Sequence, residues 1–183
     1  MREREPREVK RRKGLVVLYT GQGKGKTTAA LGTLLRAWGH GLRSCVLQFI
    51  KDRRGRWGEI KAAERLGIEW HSLGSGFTWR SPDIQDAIDR ARQTWKLAQA
   101  KIVSGDYDLI ILDEFTYPLK DGWLDTEDVI AWLSEHKPPM LHLVITGRDA
   151  PANLVDFADL VTEMKKVKHP YDQGVRAQAG MEF

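Results

Sequence analysis

Leu15-Val-Val-Leu-Tyr-Thr20 is an unbroken apolar and β-branched run, and it leads directly into Gly21-Gln-Gly-Lys-Gly-Lys-Thr27. Such a run, without polar alternation, is a strand buried on both faces. Behind the glycines, from Thr27, an amphipathic helix fits. It carries Ala30, Leu31, Leu34, Leu35 and Trp38 on one stripe and is stopped by Gly39 and Gly41. A buried strand that turns through glycines into a helix must have its neighbours arranged in layers.

The rest of the chain repeats the alternation. Ser44 to Ile50 reads as a second buried strand, Trp57 to Leu66 as a short helix stopped at Gly67, and Ile68 to Leu73 as a third strand. Ser81-Pro82 is a cap followed by proline at a first helical position. Behind it Ile84, Ile88, Ala91, Trp95, Ala98 and Ile102 recur every three or four residues until Gly105. Leu109 to Leu112 is a fourth strand, and Asp125 or Thr126 caps a helix that turns Val129, Ile130 and Leu133 inward. Leu141 to Ile145 is a fifth strand, Pro151 opens a short helix, and Leu160 to Met164 is a sixth strand. Uniformly apolar strands alternating with helices call for an α/β fold: a parallel sheet of about six strands with helices on both faces. Ligands of such sheets bind at the carboxyl ends of the strands.

Charge separates an arm from a body. Residues 1–13 hold seven basic and three acidic residues, which is the whole net charge of +4; the remainder balances 22 against 22. We read 1–13 as a basic, flexible N-terminal arm and 14–183 as one domain. A neutral body argues against a nucleic-acid binder, which needs a basic face. The single cysteine, Cys45, cannot close an internal disulfide, and in a buried strand it serves packing. Met1-Arg-Glu-Arg-Glu-Pro6 lacks the apolar core of a secretory signal, and no apolar run is long enough to span a bilayer. A cytoplasmic protein is therefore expected.

The turn Thr20-Gly-Gln-Gly-Lys-Gly-Lys-Thr-Thr28 ends in the Gly-Lys-Thr of a phosphate loop, although Thr20 stands where the general pattern has its first glycine. Gly21, Gly23 and Gly25 open backbone angles closed to other residues, so consecutive N–H groups can surround phosphate oxygens. The helix beginning at Thr27 adds its free N–H groups and positive dipole end. Lys26 supplies a point charge, Lys24 a second one, and the Thr27 hydroxyl suits Mg²⁺. The partner feature is Asp108-Leu-Ile-Ile-Leu-Asp113-Glu114, an apolar strand ending in carboxylates that can hold Mg²⁺ directly or through water. Ile145-Thr-Gly-Arg148 puts a cation at the same rim, facing either a polyphosphate or a surface ion pair.

A phosphate loop names a ligand and leaves the reaction open. One class is phosphoryl transfer, an ATPase or small-molecule kinase in which Glu114 orients water or a hydroxyl. Further motifs point elsewhere. Gln48-Phe-Ile-Lys51 ends the second strand, Gly76-Phe-Thr-Trp79 follows the third, Leu112-Asp-Glu-Phe-Thr-Tyr117 ends the fourth, and His169 to Gly180 lies near the end of the chain. With the loop and Ile-Thr-Gly-Arg these make six motifs, in order, that resemble the P-loop ATP:corrinoid adenosyltransferases over roughly residues 14–183. Thr20 is that family's own form. Phe115 stands where the family often has leucine, Pro170 interrupts the tail, and Lys51 to Arg56 is unusually basic.

The resemblance implies a P-loop NTPase-like (RecA-like) fold. It implies transfer of the 5′-deoxyadenosyl group of ATP to the cobalt(I) of a reduced corrinoid, with triphosphate released. It also implies ATP bound by Gly21, Gln22, Gly23, Lys24, Gly25, Lys26, Thr27 and Thr28, reversed along the loop so that C5′ turns toward the corrin. Mg²⁺ (or Mn²⁺) is expected on Thr27 and Glu114, with Lys26 and Glu114 as the residues of catalysis. Phe77 and Trp79 match the family's aromatic pair beside the corrin ring. A homodimer served by an electron donor such as a reduced flavoprotein is further implied, with no nucleic-acid or membrane partner. Trp38, Trp95 and Trp132 are read as core, and His169 is given no catalytic role.

Overall fold

The computed structural model describes residues 12–50, 57–74 and 84–182. Most of the basic arm, the Lys51 to Arg56 segment, Phe77, Trp79 and the Ser81-Pro82 cap lie outside the described residues. Chain order is β1 (Val16–Thr20), α1 (Lys26–Gly39), β2 (Ser44–Gln48), α2 (Gly58–Leu66), β3 (Glu69–Ser72) and α3 (Ile84–Val103). It continues with β4 (Leu109–Asp113), α4 (Thr116–Lys120), α5 (Thr126–His136), β5 (His142–Thr146), α6 (Ala152–Phe157) and β6 (Leu160–Glu163). The six strands form one sheet in the order β3-β2-β4-β5-β1-β6. Every pairing is parallel, with registers such as Val16↔Leu143, Gln48↔Asp113 and Thr20↔Glu163.

The sheet is covered on both faces, as uniformly apolar strands require. On one face Leu18, Leu47, Ile110, Leu112, Leu143 and Ile145 pack with Trp95, Ala98 and Ile102 of α3, Val129 and Leu133 of α5, and Leu154 of α6. On the other, Val46, Ile111 and Val144 pack with Ala30, Leu34 and Ala37 of α1 and Ala63 of α2. Phe115 is fully buried and stacks on Trp95, with ring centroids 5.2 Å apart, and lies against Phe49 at 4.6 Å. Trp132 meets Trp95 edge-on at 5.5 Å. The phenylalanine that departs from the resembled family is thus absorbed by an aromatic core.

The α1 stripe is rotated from the one expected. Lys26, Ala30, Leu34 and Ala37 are its buried residues. Leu35 is 58% exposed and Trp38 is 44% exposed, so neither is core. The small side chains of Ala30 and Ala37 let the helix lie close to the sheet. Trp38 instead donates its indole N–H to the Leu66 carbonyl at 3.0 Å, which ties α1 to the end of α2. Ile84, expected on the inward stripe of α3, is 64% exposed at its first residue. Asp125 is the α5 cap, accepting from the N–H groups of Glu127 (2.8 Å) and Asp128 (3.0 Å), a contact worth about 1 kcal/mol. The short helix α4, with Pro118 inside it, was not among the expected elements.

At the β3 edge, Glu69 accepts from Lys101 Nζ at 2.7 Å, from the Tyr107 hydroxyl, and pairs with His71 Nε2 at 2.6 Å. Burial alone would raise the Glu69 carboxyl; the hydrogen bonds from Lys101, Tyr107 and His71 outweigh it and hold it at about 2. A carboxyl depressed in the folded state adds stability above its unfolded value, and loses it as pH falls toward its folded one. Thermal melts of wild type and Glu69→Gln should therefore differ most near neutral pH and converge between about pH 4.3 and pH 2. A constant gap across that range would show that the network does not stabilise the ionised carboxylate. Cys45, within reach of this cluster, is fully buried and its thiol is pushed up to about 12 by that burial, as a packing residue should be.

Candidate active site at the strand carboxyl ends

Each strand closes on a polar residue: Thr20, Gln48, Ser72, Asp113, Thr146 and Glu163. Parallel pairing brings all six to the same edge of the sheet. The loop after β1 rises from that edge, and α1 then crosses the sheet over β5 and β4 toward β2.

Within the loop, Gly21 (φ 98°) and Gly25 (φ 110°) adopt left-handed backbone. Gly23 does not, and its reason for being glycine is different from the one expected. A Cβ on Gly23 would stand 2.7 Å from the Met164 and Lys165 carbonyl oxygens, because the chain leaving β6 lies across the loop. The Gly23 N–H donates to the Met164 carbonyl at 2.6 Å. Lys26 is buried, and its ammonium donates to the Gly21 carbonyl (2.8 Å) and the Gly23 carbonyl (2.7 Å). Burial lowers the Lys26 pKa below the usual lysine value and Arg148 adds to this, while Glu114, Asp113 and Asp149 pull the other way.

Asp113 is the hub. It is 1% exposed and accepts three hydrogen bonds. Thr27 Oγ1 (2.9 Å) and Thr146 Oγ1 (2.7 Å) donate to Oδ1, and Gln48 Nε2 (2.9 Å) donates to Oδ2. The Gln48 amide is oriented in turn by its oxygen, which accepts from Ser72 Oγ (2.7 Å) and Trp70 Nε1 (3.0 Å). Glu114 follows in left-handed backbone, φ 62°, with its N–H donating to Thr146 Oγ1 at 2.9 Å. For a residue other than glycine that conformation is uncommon, and such positions cluster at working sites.

These contacts decide what the site can hold. The Thr27 hydroxyl spends its one hydrogen on Asp113, so its lone pairs are left for a cation. Asp113 already accepts three hydrogen bonds on its two oxygens. A hydroxyl at the start of α1 and a carboxylate directly after β4 are hard oxygen donors of the kind Mg²⁺ prefers, so the chemistry of Thr27 and Glu114 suits that ion.

The remaining loop residues line the rim. Gln22 is exposed and donates to Asp149, which also pairs with Lys120 Nζ at 3.0 Å. Lys24 pairs with Glu182 near the end of the chain. Thr28 is exposed, and Arg148 is exposed with its carbonyl accepting from Thr116 Oγ1 at 2.6 Å. His169 caps a 3₁₀ turn over Pro170–Gln173, its Nδ1 accepting from the Tyr171 N–H at 3.1 Å, so Pro170 opens a turn and His169 has a structural post. Gln48, Thr146, Ser72 and Trp70 were not singled out as site residues. For Gln48 and Thr146 the available signal was a polar residue ending a largely apolar run.

No helix among the described residues is long and apolar enough to cross a membrane. In solved structures the fold resembles the flagellar accessory protein FlaH from Methanocaldococcus jannaschii, with a TM-score of 0.57 over 82% of this chain and 70% of that one. Identity there is 8%, so the likeness speaks for the fold, a P-loop (RecA-like) parallel sheet. Sequence relatives speak for more. A corrinoid adenosyltransferase of Sinorhizobium sp is 40% identical over 93% of this chain and 81% of its own length. That of Escherichia coli (strain K12) is 38% identical over 93% and 86%. The profile described as ATP:corrinoid adenosyltransferase BtuR/CobO/CobP matches residues 12–183. With a phosphate loop, a carboxylate strand and this match across nearly the whole length, the chain belongs to the ATP:corrinoid adenosyltransferase family.

Proposed function

We propose that this chain joins the 5′-deoxyadenosyl group of ATP to the cobalt of a reduced corrinoid at the β1, β4 and β5 ends. The observation that carries the reading is the buried Lys26 in the loop beside Thr27, which is bonded to Asp113 across the sheet. Cobalt(I) gives its electron pair to C5′, the bond from C5′ to the triphosphate oxygen breaks, and that pair leaves with triphosphate. The nucleophile carries no proton, so no general base is required. The protein's tasks are alignment and neutralisation of the leaving charge.

Lys26 supplies fixed positive charge within the loop, and Lys24 adds a second cation once it leaves Glu182. Gly21, Gln22, Gly23, Gly25 and Thr28 shape the cradle, and the free first-turn N–H groups of α1 suit an anion. Thr27 and Glu114 hold Mg²⁺, which when bound neutralises polyphosphate charge. Phe77 and Trp79 wall the corrin and keep water or a base off cobalt. On this reading the electrons come from a reduced flavoprotein, and the working unit is a cytoplasmic homodimer.

Incubation with ATP, Mg²⁺ and chemically reduced corrinoid tests the whole reading. The light-sensitive cobalt–carbon product and free triphosphate are expected. Phosphate or ADP without that product would mean phosphoryl transfer instead. Glu114→Gln should raise the metal concentration needed for half-maximal activity by at least the roughly 10–100-fold that even an outer partner is worth. An unchanged metal titration would remove Glu114 as a ligand and point to Asp113.

A further inference from the structure

We propose that Thr146, assisted by Gln48, is a positioning residue that sets the two metal-holding side chains in register. The proposal rests on the reading that Thr27 and Glu114 hold Mg²⁺. Thr146 closes β5, which supplies no proposed ligand of its own, and it is fully buried. Its one hydroxyl touches both sides of the site. It donates to Asp113 Oδ1 at 2.7 Å, the same oxygen that accepts from Thr27, and it accepts from the Glu114 N–H at 2.9 Å.

Each contact has a definite consequence. Asp113 can draw the Thr27 hydrogen inward, turning the lone pairs outward, only while its carboxylate is held in one orientation. Thr146 on Oδ1 and Gln48 on Oδ2 hold it from two neighbouring elements. Gln48 is itself fixed, because the Trp70 indole and the Ser72 hydroxyl both donate to its oxygen and so direct its N–H toward Asp113. The second contact pins the backbone of Glu114 in its left-handed turn, which aims the side chain. One hydroxyl thus orders a ligand's hydrogen on one side and another ligand's main chain on the other. Outer partners of this kind typically change metal affinity by about 10–100-fold when removed.

Thr146→Val keeps the shape and β-branching of the strand residue and deletes the hydroxyl. Thr146→Ser keeps the hydroxyl. Calorimetric ATP binding, titrated with Mg²⁺ and without turnover, is the readout. The valine variant should need about 10–100-fold more Mg²⁺ to reach half its metal-dependent gain in ATP affinity, with metal-free ATP affinity unchanged, and serine should restore the wild-type titration. Thr94→Val is the control: Thr94 is equally buried but donates to the Arg90 carbonyl within α3, away from the site. A wild-type titration for Thr146→Val, or an equal shift in Thr94→Val, overturns the proposal. Should Thr146→Val fail to fold, Gln48→Met decides in the same assay: a shift supports the proposal and a wild-type titration overturns it. Glu114→Gln separates the two readings. If it shifts the titration and Thr146→Val does not, the positioning role fails and the metal site stands. If neither shifts, the metal reading fails and takes the proposal with it.

Discussion

Lys26→Ala should lower turnover by about 10²–10³ at saturating ATP, the usual loss when one preorganised electrostatic contact is removed from a developing charge. The triphosphate leaving C5′ carries several negative charges, and Lys26 is the buried cation inside the loop that would receive it. Its ammonium also bonds the Gly21 and Gly23 carbonyls, so alanine loosens the loop as well as removing charge. Lys26→Gln separates the two effects, since an amide can still donate to those carbonyls while carrying no charge. Turnover should stay low in the glutamine variant even where melting and ATP binding recover. Near wild-type turnover in either variant would refute the charge role. The lowered Lys26 pKa sharpens the expectation: burial and Arg148 both disfavour the ammonium, and the nearby Glu114, Asp113 and Asp149 carboxylates offset them. Removing Glu114 should therefore lower the Lys26 pKa further.

Replacing both Phe77 and Trp79 with alanine should have its large effect only when cobalt(II) must be reduced on the enzyme. An axial water or base makes that reduction harder, and each ~59 mV of a one-electron couple is a factor of ten in the reduced fraction. A shift of about 120 mV would therefore cost about 100-fold. When chemically prepared cobalt(I) is supplied, the nucleophile arrives ready and the loss should be small. ATP affinity should change little, because Gly21 to Thr28 is untouched. Equal losses in the two assays would mean the aromatics only hold the corrin or the fold, and the ligand-exclusion role would fall.

Much of the fold was legible because apolar runs without alternation have one economical solution, a sheet buried on both faces. The strands fall within two residues of their expected bounds, and Thr27 of the loop is hydrogen-bonded to Asp113 at the end of β4. Periodicity misled where a neighbour set the helix phase. Ala30, Leu31, Leu34, Leu35 and Trp38 form a plausible inward stripe, yet only its Ala30, Leu31 and Leu34 side packs inward; Lys26 and Ala37 join it, and Leu35 and Trp38 face out. Gly23 looked like a residue chosen for backbone freedom, and its actual constraint is the Met164 and Lys165 main chain lying across it.

The sequence by itself determined the chemistry available: a phosphate loop, a cation inside it, hard oxygen donors, and motifs specific to one family. Local patterns carry that information because loop, cap and strand-end residues act through their immediate chain neighbours. Only the tertiary structure decided which polar groups share a hydrogen bond. Strand order is non-local, and β4 and β5 separate the ends of β2 and β1 while binding them into one edge. That order puts Gln48 and Thr146 on opposite oxygens of Asp113, residues 65 and 33 positions away along the chain. No periodicity in either segment encodes such a meeting, because it depends on which strands, distant in sequence, lie side by side in the sheet.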